Sequence, residues 1–225
     1  MFDLDYKFLI IFVPVILFSL TIHEYAHAYI AHKLGDDTAK RLGRLTLNPL
    51  KHLDPIGTLL LILVHFGWAK PVPVDPRNFK EPKKDMLYVA IAGPISNIIT
   101  AIVSAVLLKY LVFGMASSGA LGAYSEPLIQ FLVWMIFIGV VLAVFNMLPV
   151  PPLDGSRVLY GLLPDHLTYS IKKIETYGIL ILFAIILFGG RAFSYILVYP
   201  FLKFLEIFSF NNLELNIILN VVFNR

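Results

Sequence analysis

Phe8-Leu9-Ile10-Ile11-Phe12-Val13-Pro14-Val15-Ile16-Leu17-Phe18-Ser19-Leu20 runs without a turn signal into Thr21-Ile22-His23-Glu24-Tyr25-Ala26-His27. The fold follows from reading both halves as one helix. From about Lys7 to Leu34 the stretch is long enough for a bilayer, which needs about 20 apolar residues in helical form. Two imidazoles and a carboxylate therefore fall inside a membrane helix. A charged group there costs about 2–3 kcal/mol unless it is partnered, so function is the default reading of the cluster.

The whole chain agrees with this start. Of its 225 residues 58% are hydrophobic and only 15% charged, and its mean hydropathy of +0.79 lies far above that of a water-soluble domain. An all-α polytopic membrane protein is expected, with residues 1–225 forming a single domain. Cysteine is absent, which excludes disulfides and thiolate metal sites and leaves histidine and carboxylate as ligands. The net charge of +3 is small and its basic residues sit between apolar runs, a pattern of membrane topology and not of nucleic-acid binding. Phe2-Asp3-Leu4-Asp5 is acidic where a cleavable signal would be basic.

Outward from the first span, Lys33, Lys40, Arg41, Arg44 and Lys51 place the next segment in the cytosol and the motif near the cytosolic end of its helix. The apolar run Ile56 to Trp68 is short, and its far flank again carries positive charge at Lys70, Arg77, Lys80, Lys83 and Lys84, so a re-entrant segment is expected. Arg44-Leu45-Thr46-Leu47 alternates with period two and Pro71-Val72-Pro73-Val74 is extended, which predicts a small β element at the membrane surface. Leu87 to Phe113 heads outward, the loop Gly114 to Pro127 carries no lysine or arginine, and Leu128 to Leu148 returns inward. Ile174 to Gly190 and Ala192 to Phe208 read as a closing helical hairpin over about 174–208, and Leu213 to Phe223 as a surface amphipathic helix. The total is about five transmembrane helices, with a catalytic core over about 7–160.

On a helix of 3.6 residues per turn His23 and His27 lie one turn apart on nearly the same face, with Glu24 beside them. That is the spacing of zinc hydrolases, in which the neighbouring carboxylate takes a proton from water and passes it to a leaving amine. The third ligand of soluble zinc proteases is missing: Lys33 stands where an extended motif would have a histidine, and no glutamate occurs between Glu24 and Glu81. Asp154 is the best candidate, because Pro149, Pro151 and Pro152 break the returning helix and set it at the depth inferred for His27.

His23-Glu24-Tyr25-Ala26-His27 together with Asn146-Met147-Leu148-Pro149 and Leu153-Asp154-Gly155 resembles the site-2 protease family of intramembrane zinc metalloproteases. The likeness extends to Gly93-Pro94-Ile95-Ser96-Asn97 and to Asn48-Pro49-Leu50-Lys51-His52-Leu53-Asp54-Pro55, and so covers roughly residues 20–160. It implies cleavage of peptide bonds of membrane-spanning substrates near the cytosolic side of the bilayer, one zinc ion on His23, His27 and Asp154, and Glu24 as general base. It also suggests Asn146 beside the reacting carbonyl, where an amide donor could stabilise an oxyanion, with helix packing as the competing role. Asn97 has an accessory role on this reading or hydrogen-bonds between helices. His52 and Asp54 follow a cytosolic turn, where capping competes with a gating or accessory metal role.

No appended PDZ or CBS domain, such as several members of the family have, is expected within these 225 residues. Expected partners are the lipid bilayer and single-span membrane proteins or signal-peptide-like segments, with no nucleic acid and with homo-oligomerisation left open. A prokaryotic cell membrane is the expected setting. Two other functions compete: a membrane metal-ion transporter, since intramembrane His and Asp can line an ion path, and a non-proteolytic homologue that binds membrane segments. The first asks for further acidic or histidine residues through the depth of the spans, and Leu87 to Leu148 has few polar groups. The second should have lost Glu24, which is present.

Overall fold

The computed structural model describes residues 6–64, 67–114, 125–164, 166–168 and 175–223. The helices are α1 (Tyr6–Lys33), the single-turn α2 (Thr38–Arg41), α3 (Pro55–Val64), α4 (Pro82–Val106), α5 (Ser125–Asn146), α6 (Asp154–Leu162), α7 (Gly178–Phe188), α8 (Gly190–Ile207) and α9 (Asn212–Phe223). Among the described residues three apolar stretches, Phe8–Lys33, Pro82–Tyr110 and Glu126–Asn146, are long and apolar enough to cross a membrane. A fourth is reached when α7 and α8 count as one span broken at Gly189-Gly190. About five were expected. The difference lies in α7 and α8, which are long and apolar enough to cross when taken together and are bent by 93° at the break between them. The loop expected between α4 and α5 and most of the segment before α7 lie outside the described residues.

The chain forms two compact units. The first comprises Met1–Ser19, Asn97–Val144 and Arg191–Arg225. Its core joins Ala101, Ala105 and Leu108 with Leu132, Val133, Ile136 and Val140 of α5 and with Phe201 and Leu205 of α8. Small residues let α4 and α5 approach: a Cβ on Gly139 would stand 2.8 Å from the Asn97 carbonyl oxygen. Beyond α4 the chain continues as a wider turn, Leu107–Phe113. From it the Lys109 ammonium donates to the carbonyls of Phe208 and Ser209, closing the end of α8 where Ser209 takes φ 49°.

The second unit, Leu20–Ser96 and Phe145–Gly190, holds the candidate site. The two ends of the segment expected to be re-entrant meet in this unit. Asp54 Oδ1 caps α3 by accepting from Ile56 N and Gly57 N at 3.0 and 2.8 Å. The chain then comes back to where it started, with Lys70 N donating to the His52 carbonyl at 2.8 Å and Leu53 bridging Ala69. Gly57 permits this closure, since a Cβ there would lie 2.3 Å from the Trp68 carbonyl oxygen.

The expected surface sheet is not formed: among the described residues the Leu53–Ala69 bridge is isolated and stands outside any strand. Pro71 and Pro73 have no N–H to give a ladder, and the Val72 N–H between them is spent on a side chain of α1. The extended segment is instead tied down from both ends. Val72 packs on Ala28 and Ala39 with Leu45 and Val74 alongside, and its far end is anchored by Asp36, which is fully buried. One Asp36 oxygen accepts from Thr38 N, Thr38 Oγ1 and Asn78 Nδ2, and the other from Asp75 N at 2.8 Å.

Burial alone would raise the Asp36 pKa, but these donors outweigh it and hold it below its ordinary value. The stabilisation is therefore complete above the unfolded carboxyl's pKa of about 3.9 and is lost as pH falls from there through the folded value. Asp36→Ala strands several buried donors and is expected to cost about 2–4 kcal/mol. Thermal unfolding in detergent between pH 3 and 7 checks both: the variant should melt lower at pH 7, and its deficit should shrink toward the acid end.

Candidate metal centre

His23 and His27 sit one turn apart on α1 and are both 5% exposed. Asp154 is the first residue of α6, where the positive end of a helix favours a carboxylate. Its approach is set by the proline-rich turn after α5, which winds through Leu148 N to Phe145 O, Val150 N to Leu148 O and Leu153 N to Val150 O. Gly155 fits beneath that turn because a Cβ would collide with the Met147 and Leu148 carbonyls at 2.2 and 2.4 Å.

These two pieces of chain, more than a hundred residues apart, bring three ligand atoms together. His23 Nε2 and His27 Nε2 are 3.0 Å apart, and Asp154 Oδ2 lies 3.1 Å from the first and 3.2 Å from the second. The orientation of one imidazole is fixed from behind: His27 Nδ1 donates to the Val89 carbonyl of α4 at 2.7 Å, which leaves Nε2 as a bare lone pair aimed at the cluster. A second lone-pair atom, the carboxylate oxygen, stands beside it. Such a buried arrangement calls for a cation.

The donor set suits zinc, which takes nitrogen and oxygen ligands and in catalytic sites keeps three from the protein and one open position. A tetrahedron with ligand distances of about 2.0–2.1 Å has edges of about 3.3–3.4 Å, close to the sides of the triangle here. Among the described residues these three side chains are the group of His, Asp and Glu able to hold a metal.

The other sequence-predicted residues divide by position. Glu24 is buried beside the cluster, 8% exposed, with Oε2 accepting from Val72 N at 2.7 Å. Asn146 ends α5 and is half-buried. Asn97 is fully buried on α4 in the first unit. His52 and Asp54 sit at the neck of the re-entrant element, where His52 Nε2 donates to the Thr46 carbonyl at 2.8 Å and Asp54 caps α3. Neither belongs to the metal-capable group.

Two contributors escaped the sequence reading as site residues. Val89 offers only its backbone, and no pattern of side chains reveals a backbone acceptor. Gly93 is the other: a Cβ there would stand 2.4 Å from His27 Nε2 and 2.6 Å from His23 Nε2. A glycine directly before a proline inside a span was the available signal. Gly93→Ala should push the imidazoles out of register and reduce bound zinc in the purified protein to a small fraction of one per chain, while circular dichroism keeps the wild-type helix content.

The profile of peptidase family M50 matches residues 11–189. YwhC of Bacillus subtilis, provisionally named a zinc metalloprotease, is 46% identical over 186 residues, which are 82% of this chain and 83% of the relative. Rip2 of Mycolicibacterium smegmatis, provisionally named in the same way, is 29% identical over 209 residues, 86% of this chain and 73% of its own. The zinc metalloprotease MJ0392 of Methanocaldococcus jannaschii is 28% identical over 193 residues, 85% of this chain but 44% of that longer protein. No solved structure matches significantly. With its apolar spans and a zinc-capable cluster, the chain belongs to peptidase family M50, the site-2 proteases, and is a zinc-dependent protease of the membrane.

Proposed function

We propose that the chain cleaves membrane-spanning substrates, single-span proteins or signal-peptide-like segments, within the bilayer and near its cytosolic face, and that His23, His27, Asp154 and Glu24 carry the reaction. The observation that supports this most directly is the convergence of His23, His27 and Asp154 ligand atoms on one buried point. When bound, zinc lowers the pKa of a coordinated water to about 7 and polarises a scissile carbonyl.

The chain's own groups do the rest. Glu24 takes a proton from the attacking water and delivers it to the departing amine, a role that its place one residue after His23 allows. The Val89 carbonyl keeps His27 in the tautomer that binds metal. Asn146 is proposed to donate its amide N–H to the oxygen on which charge develops. Asn97, His52 and Asp54 act, on this reading, through packing and capping rather than on the reacting atoms.

A substrate helix hides its scissile amide in its own hydrogen bonds, so it must be locally unwound before it can reach a site enclosed to this degree. Basic residues on both flanks of α3 support a cytosolic site in a cell membrane, by the excess of Lys and Arg on that side. The proposed transporter alternative needs a chain of ion sites. Among the described residues there is one.

Purified wild type should carry about one zinc and cut a single-span test substrate in liposomes. Glu24→Gln should keep the zinc and lose about 10²–10⁴-fold in rate, the usual worth of a general base. Equal cleavage by both would sink the assignment. Orientation is tested separately: because the chain has no cysteine, a single Lys51→Cys replacement gives a unique thiol, expected to react with an impermeant maleimide in inverted vesicles and to be protected in intact cells.

A further inference from the structure

Lys70-Pro71-Val72-Pro73-Val74 crosses α1 at the level of Glu24. Lys70 and Val72 each precede a proline and are thereby biased to extended backbone, while Pro71 and Pro73 carry no N–H. Between Lys70 and Val74 the segment thus offers a single backbone donor, Val72 N–H, and that donor is the one that meets Glu24 Oε2, at 2.7 Å.

The donor is held in place on every side. The Val72 side chain is 7% exposed, packed on Ala28 one turn along α1 from Glu24. Before it, the Lys70 N–H goes to the His52 carbonyl, and the Lys70 carbonyl accepts from the Arg44 guanidinium at 2.6 Å. Arg44 itself is 8% exposed, an unusual depth for a cation, and it interacts electrostatically with Glu24. A carboxylate on a flexible side chain is in this way aimed by a rigid backbone amide. The second oxygen is left for chemistry.

We infer that Val72, through its backbone N–H, and Arg44, through its grip on the Lys70 carbonyl, are positioning residues for Glu24. The inference rests on the reading of Glu24 as the general base. It differs from a structural role in what it predicts: the geometry of the base governs turnover, not zinc binding or affinity for substrate. A misplacement of about 1 Å at a reacting group is worth about a hundredfold in rate.

Val72→Pro deletes the donor and keeps the segment extended, and Val72→Ala trims the same packing and keeps the donor. Zinc content, melting temperature, kcat and KM are to be measured in liposomes for both, beside Glu24→Gln. The expected result is a kcat for Val72→Pro about ten- to a hundredfold below that of Val72→Ala, with KM and zinc alike in the two. Equal kcat values would overturn the inference while Glu24→Gln remained inactive; activity in Glu24→Gln would instead overturn the base assignment on which it rests. If Val72→Pro fails to retain zinc, Arg44→Met and Arg44→Lys decide. Loss of kcat with zinc retained in Arg44→Met, and recovery of at least tenfold in Arg44→Lys, supports the inference. A wild-type kcat in Arg44→Met, or loss of zinc and KM together in both, overturns it.

Discussion

The hydrogen bond from His27 Nδ1 to the Val89 carbonyl is the constraint on which the metal centre depends. An imidazole with its proton on Nε2 could not ligate from that atom, and a ring without a partner at Nδ1 could rotate. The bond also couples two membrane helices. Val89 and Gly93 are four residues apart on α4 and therefore on one face, so the face that supplies the acceptor also supplies the place without a side chain where the two imidazoles fit. Neither contribution works without the other: an acceptor with a Cβ beside it would exclude the rings it is meant to hold.

This coupling explains why some parts of the protein are legible from sequence and others are not. His23, Glu24 and His27 repeat with the period of a helix, and their burial in an apolar run carries a cost that marks them. Asp154 is readable because Pro149, Pro151 and Pro152 announce the end of a span. The spans α1, α4 and α5 follow from length and apolarity. By contrast, the partners of the Glu24 and His27 side chains are backbone groups of Val72 and Val89, and every residue type has a backbone. Pattern cannot single them out; only tertiary placement can.

The expected surface sheet shows the same division. Alternation at 44–47 and extension at 71–74 are properties of single segments and were readable, but a sheet needs ladder partners. Residues 70–74 spend their polar groups elsewhere: the Lys70 carbonyl on Arg44, the Lys70 N–H on His52, and the Val72 N–H on Glu24. Extended backbone is thus present without a strand. The closing hairpin is another case, since apolar composition does not reveal the 93° bend at Gly189 that divides α7 from α8.

Prolines are concentrated in the irregular backbone near the site. Pro71, Pro73, Pro149, Pro151 and Pro152 remove five N–H groups from the unit that holds the metal centre and leave their carbonyls, so acceptors outnumber backbone donors there. In a bilayer each unsatisfied polar group costs several kcal/mol, and irregular backbone survives only when protein or enclosed water satisfies it. The surplus is of one sign. Carbonyl groups suit a cation and the N–H groups of a peptide drawn out of its helix, whereas the oxyanion of the proposed hydrolysis takes a donor, the role proposed for the Asn146 amide. Around the site the protein itself supplies such partners: His52 for the Lys70 N–H, Arg44 for the Lys70 carbonyl and Glu24 for the Val72 N–H.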